Sequence, residues 1–419
     1  MRSSLVKNLA LAGGSLLICF FAVDAAARLF VKPGEACWGV LFGHPLPPSP
    51  VIPLRSAPVA DPDKWYNHTV VNGQQITQGD LWGIFREDEV LGYAPKENTV
   101  SKNGWWQSNN IGARSRVATT PNIPPGRSRV LAIGESFTNC SRVPQEDTWP
   151  FLLEASDNRL EVVNLGVDGY SMGQCLLRYR EIGPKVAHDA AILVFVPAVD
   201  LWREINTIRY IGDDWESYTV QPRFLVENGE LKLIRSPYRS VAEYYAANLP
   251  NPSEALRAHL RKYDRFYFRV WYESPPFVGR SICYKLLARV VGGYERKRLR
   301  EGVLERDSEA LRITRAIFVE MNREAGSGGK RFLVAALPIP TDLSSCATDP
   351  AFRERWTSMI SYLSRDGVAC LDLMGRFMTH RSEIDTAVDG AHYGPKTNRL
   401  IAGWLQSSLD SLRVIPISR

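Results

Sequence analysis

No two cysteines of this 419-residue chain are spaced as Cys-x-x-Cys, and no cysteine stands at zinc-site spacing from a histidine. A structural zinc held by short ligand pairs is therefore excluded, and the residues imply no other metal or organic cofactor. The chain also lacks a strong charge of either sign. Its 51 Lys and Arg against 45 Asp and Glu leave a net charge of +6. No nucleic-acid motif accompanies that mild surplus, so nucleic acid is not an expected partner. The basic cluster Arg296–Lys297–Arg298–Leu299–Arg300 falls on an expected helix face and reads as solvated surface. An apolar fraction of 45% with 10% aromatics suits a packed globular protein. The length implies one large domain with additions.

One uncharged run stands apart, Leu9 to Val23, preceded by Arg2 and Lys7. Two readings fit it. One is a secretory signal peptide, with Ala25–Ala26–Ala27 as the cleavage site. The other is an uncleaved signal anchor in residues 1–31, extended by Leu29–Val31, with Asp24 and Arg28 at its outer interface. The basic residues ahead of it hold the N-terminus in the cytoplasm, so the body is exported under either reading. The expected location is the cytoplasmic membrane, single-pass, with the body periplasmic or extracellular. Cys19 follows Ile18 rather than a small residue, which argues against a lipoprotein cysteine. Cys37, Cys140, Cys175, Cys283, Cys346 and Cys370 remain. They fit up to three disulfides, or six small buried hydrophobes, equally well.

The chemistry concentrates in two places. Arg129–Val130–Leu131–Ala132–Ile133 has the composition and length of a buried strand, and Gly134–Glu135–Ser136 follows it. Gly134 permits a sharp turn that presents Ser136 beyond the strand's carboxyl end, where open α/β sheets carry their sites. Far along the chain comes Asp389–Gly390–Ala391–His392, with Pro395 opening a helix soon after. A serine needs a base to take its proton, and the base needs a third group to orient it. His392 would be that base and Asp389 its partner. Either motif alone is weak, since Gly-x-Ser recurs by chance and Asp-x-x-His often caps a helix.

Two further blocks lie between them. Glu161–Leu165 reads as a strand entering the loop Gly166–Val167–Asp168–Gly169, and Ala190–Val196 is another buried run, ending in Pro197–Ala198–Val199–Asp200. The Gly169 amide would join that of Ser136 as an oxyanion hole. With the four blocks in this order, from about Arg129 onward, the chain resembles the SGNH (GDSL-like) hydrolase superfamily. The resemblance implies Ser136 as nucleophile, Asp389 and His392 as its partners, and Gly169 as an oxyanion donor. It also favours the anchor reading, because an acidic residue and an arginine close this helix in many similar hydrolases. Two positions depart from the family pattern. Glu135 stands where Asp is usual, and Val199 where an Asn side chain would be the third oxyanion donor. Valine donates no hydrogen bond.

The body predicts an α/β fold: a doubly wound parallel sheet of about five strands, SGNH- or flavodoxin-like. The predicted strands are Arg129–Ile133, Glu161–Leu165, Ala190–Val196, Arg331–Leu337 and Ala369–Leu373. A Pro-rich spacer and leader segment fills 32–126, and the hydrolase-like domain spans 127–419. An insertion at about 201–306 follows the third strand, with a hairpin around Glu227–Asn228–Gly229–Glu230. The insertion is expected to overhang the site and shape substrate choice or a partner surface. Trp105–Trp106 in the leader reads as a pair packed on the sheet rather than a platform for sugar rings.

The expected activity is that of an exported serine esterase or O-acyltransferase on an acylated glycan or similar ester. The alternative is a degenerate relative that binds a polysaccharide or an export partner. Val199 is the best argument for the alternative, and the intact Ser136, Asp389 and His392 are the best against it.

Overall fold

A computed structural model describes residues 2–33, 39–48, 68–71, 74–77, 84–101, 104–208, 219–248 and 251–411. Residues 49–58 of the Pro-rich spacer and the expected disulfide candidate Cys37 lie outside them.

The chain opens with helix α1 (Arg2–Arg28). The body then alternates strands and helices: β1 (Ser128–Ile133), α2 (Ser136–Asn139), α3 (Trp149–Ser156), β2 (Leu160–Asn164), α4 (Met172–Ile182), β3 (Ala190–Phe195) and α5 (Pro197–Arg203). After the insertion, whose long helix is α6 (Ile282–Gly302), come α7 (Glu309–Ser327), β4 (Arg331–Ala336), α8 (Pro340–Thr348), α9 (Pro350–Leu363), β5 (Cys370–Asp372) and α10 (Pro395–Ser411). The five strands pair in parallel in the order β5-β4-β3-β1-β2. All five lie within a residue or two of the runs the sequence marks.

β1 and β3 are buried along their whole length, which is why they read as unbroken apolar runs rather than alternating ones. Right-handed crossovers put the helix between β1 and β2 on one face, and those of the reversed path from β2 through β3 to β5 on the other. Accordingly α3 packs with α10, while α4, α7 and α9 pack together. The path reverses between β1 and β3, and the loops that follow these two strands open at that switch point, where α/β sheets place their ligands.

Arg129 at the mouth of β1 is fully buried. Its guanidinium donates to Glu161 of β2 at 2.9 Å and to the carbonyls of Thr120 and Ala187, so the charge is paired and saturated rather than stranded.

The insertion is stapled at its base by one buried carboxylate. Asp264 accepts from the amides of Thr207 (2.7 Å), Ile208 (3.0 Å) and Phe266 (2.9 Å) and from the Thr207 hydroxyl (2.9 Å). Its hairpin, Arg223–Glu227 with Glu230–Ile234, forms as the Asn-Gly turn predicts. That hairpin packs on α4 and α7, where buried Arg223 donates to Glu309 at 2.6 Å. The six described cysteines are all free thiols. Among the described residues the choice left open by the sequence thus falls to unpaired cysteines, of which Cys140, Cys175 and Cys346 are buried.

Candidate functional site

The turn after β1 is built by close approach. A Cβ on Gly134 would stand 2.2 Å from the Thr138 hydroxyl, and one on Gly166 would stand 2.3 Å from the Asn139 amide. Glycine at both lets α2 fold back on the strand end and lets the β2 loop press against it. Glu135 caps α2 by accepting from the Phe137 amide at 3.0 Å. Ser136 is the first residue of that helix and remains partly exposed.

The structure brings the three predicted residues together. The Ser136 hydroxyl lies 2.8 Å from His392 Nε2, across 256 residues of sequence. His392 Nδ1 lies 2.6 Å from Asp389 Oδ2. Asp389 Oδ1 accepts from the amides of Ala391 (3.1 Å) and His392 (3.0 Å), so one short turn holds both carboxylate and imidazole. Burial would raise the Asp389 carboxyl pKa, but hydrogen bonds from the His392 ring and these amides outweigh it and hold the group well below the usual carboxylate range. Arg142 stands 3.3 Å from Asp389 Oδ2, close enough for an ion pair and poorly aligned for a hydrogen bond. Phe137 packs against the His392 ring at 4.8 Å between centroids, the planes tilted by 30°.

Gly169 has φ +77, which favours glycine. The Tyr93 hydroxyl donates to the Asp168 carbonyl at 2.5 Å. In a planar trans peptide this fixes the Gly169 N–H in the opposite direction. Asp168 is held on its other side by Asn139 Nδ2 at 2.6 Å, and Asn139 accepts from the Trp106 indole at 3.0 Å. The leader segment therefore clamps the loops of the site. Trp106 is buried in that clamp, against Asn139 and Phe85, and Trp105 is partly buried.

Val199 lies near the start of α5 and packs its side chain against the core. The next residue, Asp200, turns inward and accepts from the Val196 amide at 2.6 Å. Glu135 and Asp200 are both fully buried, with Arg203 Nη1 at 3.6 and 3.8 Å from them. Burial first, and the neighbouring Glu135 second, push the Asp200 carboxyl far above its ordinary range. The second Glu135 oxygen lies 2.5 Å from the Ser136 hydroxyl. Ser136 thus faces both a carboxylate and an imidazole. Sequence reading named Glu135 only as a departure and missed Arg142, Arg203 and Tyr93. None of the three is carried by a motif that marks it as part of a site. The insertion touches this site through α5, where Phe266 and Arg300 flank Trp202, the neighbour of Arg203.

The arrangement can lower the barrier to nucleophilic attack by Ser136 on a carbonyl. Among the described residues no cluster of His, Cys, Asp and Glu has the arrangement of a metal site.

No family model matches the chain, and no curated protein does. Solved structures similar to it include a lipolytic protein of the G-D-S-L family from Veillonella parvula, at 11% identity over 68% of this chain and 98% of that one, TM-score 0.31. Another is an alpha/beta hydrolase from the metagenome of Lake Arreo, at 12% over 69% and 97%, TM-score 0.35. A third is an acetyl xylan esterase from Butyrivibrio proteoclasticus, at 9% over 70% and 66%, TM-score 0.30. Superpositions this loose describe neither a shared site nor a shared substrate.

Proposed function

We propose that this chain is an SGNH-type (GDSL-like) serine esterase or O-acyltransferase, exported and anchored by its N-terminal helix, acting on an acylated glycan or a similar ester. The observation that carries the reading is the Asp389–His392–Ser136 relay, with contacts of 2.6 and 2.8 Å. His392 takes the hydroxyl proton as Ser136 attacks the acyl carbonyl, and Asp389 steadies the imidazolium. The amides of Ser136 and Gly169 receive the oxyanion. Collapse of the tetrahedral intermediate returns the proton from His392 to the departing alcohol and leaves the acyl group on Ser136. Water then completes an esterase cycle, and a sugar hydroxyl completes a transferase cycle.

Export is supported by α1, whose stretch Leu11–Arg28 is long and apolar enough to cross a membrane. The rival is a binding-only relative, which Val199 and the Glu135 hold on the serine favour. A serine-reactive fluorophosphonate separates the two. It is expected to label the protein and to leave the Ser136→Ala variant unlabelled. That variant should lose on the order of a millionfold in kcat on a short ester with its thermal stability unchanged. Failure of the intact protein to label, with no turnover of any ester, would leave the binding-only reading.

A further inference from the structure

The end of α1 does not hang free of the body. Asp24 is buried and accepts from the Ser281 hydroxyl at 2.7 Å and the Cys283 amide at 3.1 Å, which places a carboxylate on the N-terminus of α6. Arg28 donates to the Arg280 carbonyl at 2.5 Å. Ala27 and Val31 share a small core with Leu41, Leu46 and Ile282. The insertion is therefore joined to the α1 end at the level where a signal anchor leaves the bilayer.

α6 shows two faces there. Ile282, Lys285, Ala288 and Gly292 are buried. On the opposite side Leu286, Leu287, Val290, Val291 and Tyr294 form an exposed stripe at helical spacing, with Leu287 61% and Val290 68% exposed. At 100° per residue, Lys297 and Arg298 continue the same stripe one turn on, changing it from apolar to charged, with Glu301 a further turn on and 3.8 Å from Lys297. In the loop before α6, Phe277 is 93% exposed at φ +64, and the Val278 amide bonds the Pro276 carbonyl at 2.7 Å. This tight γ-turn holds a bare phenyl ring outward from the end of α1. Soluble surfaces seldom keep such a contiguous patch.

We propose that α6 and the Phe277 loop lie in the outer membrane–water interface, with the apolar stripe among the acyl chains and Lys297 and Arg298 at the lipid phosphates. Apolar residues on one side with a basic margin are what an interfacial helix presents to lipid. Continuity with α1 makes the occupant the bilayer rather than a second protein. The inference rests on the anchor reading of α1. It gives the insertion a role that its sequence did not suggest: it holds the site at a fixed height and tilt above the membrane. Of the cluster Arg296–Arg300, read from sequence as a solvated face, Lys297 and Arg298 become its lipid-phosphate margin, while Arg300 turns to Trp202.

The test uses the full chain in vesicles of phosphatidylcholine with a minor share of phosphatidylglycerol. A fluorescent amino acid replaces Val290, Phe21 within α1, or exposed Glu354 on α9, one at a time. Position 290 is expected to be quenched several-fold more by shallow doxyl lipid than position 354, and less by aqueous iodide. Position 21, inside the span by one turn from Asp24, should also be quenched by doxyl lipid and shielded from iodide. Iodide quenching at 290 with lipid quenching kept at 21 overturns the proposal and leaves the anchor standing. Protection of 290 from both quenchers overturns it in favour of a protein partner. Loss of lipid quenching at both 290 and 21 removes the proposal and the anchor together. Lipid quenching at 290 alone overturns the anchor, and with it the proposal that α6 lies beside a membrane-spanning α1.

Discussion

A hydroxyl owns one proton, and at Ser136 two acceptors compete for it. Donation to His392 prepares attack, whereas donation to Glu135 at 2.5 Å does not. Glu135→Asp shortens the side chain, draws the carboxylate away from the hydroxyl and leaves an acid able to cap α2. It is expected to raise kcat on a small ester about 10- to 100-fold, the worth of one hydrogen bond to a charged group. A fall in kcat would mean that the longer carboxylate assists catalysis. Val199 raises the complementary question of donors. An amide at this position can be worth about 10²–10³ in kcat when it reaches the oxyanion. Val199→Asn is expected to increase kcat, by less than that ceiling because no surrounding residues were selected to aim it. Steady-state rates on one ester, with folding checked by circular dichroism, decide it. A slower variant would mean that another group already fills the oxyanion hole.

Elements were legible in the sequence where burial is continuous. Val130–Ile133 and Ala191–Phe195 announce themselves because both faces of their strands are covered. Asp389 and His392 were legible because one turn holds them, and Ser136 because glycine must precede it. Long-range pairing was not legible. Arg203 reaches Glu135, and Arg142 reaches Asp389, through geometry that no local pattern encodes. The leader's contact through Tyr93 was hidden for the same reason. Asp342 at the start of α8 accepts a local hydrogen bond from the Ile339 amide, and what its sequence hides is its burial. Burial pushes its carboxyl up to about 6, against the lowering effect of the Ile339 amide. The folded state therefore holds a proton that the unfolded chain, near 3.9, has released. Stability falls as pH rises through that window and is flat above it. Asp342→Asn removes the penalty and can still accept from Ile339. It is expected to stabilise by about 1–3 kcal/mol at pH 8 and by nothing at pH 3. Urea unfolding at the two pH values measures this, and an equal gain at both would assign the effect to something other than titration.

At the scale of the whole molecule, one carboxylate closes an insertion of roughly a hundred residues. Asp264→Ala leaves the amides of Thr207, Ile208 and Phe266 without their buried acceptor. The expected loss is about 3–5 kcal/mol, since bonds to a charged group exceed neutral ones and stranded donors cost more again. A separate early transition in urea, with the sheet unfolding later, would show the insertion melting on its own; an unchanged midpoint would contradict the staple. The relay spans the chain in a different sense. Its nucleophile is made with β1, and its base arrives only with the turn before α10. If the body is exported in N-to-C order, as proposed, it carries an inert serine until the stretch around Asp389 has crossed and docked. On the proposed function, reactivity toward an acyl group would then begin only when the chain is complete. Fragments and stalled chains that lack the stretch around Asp389 would then spare the esters around them.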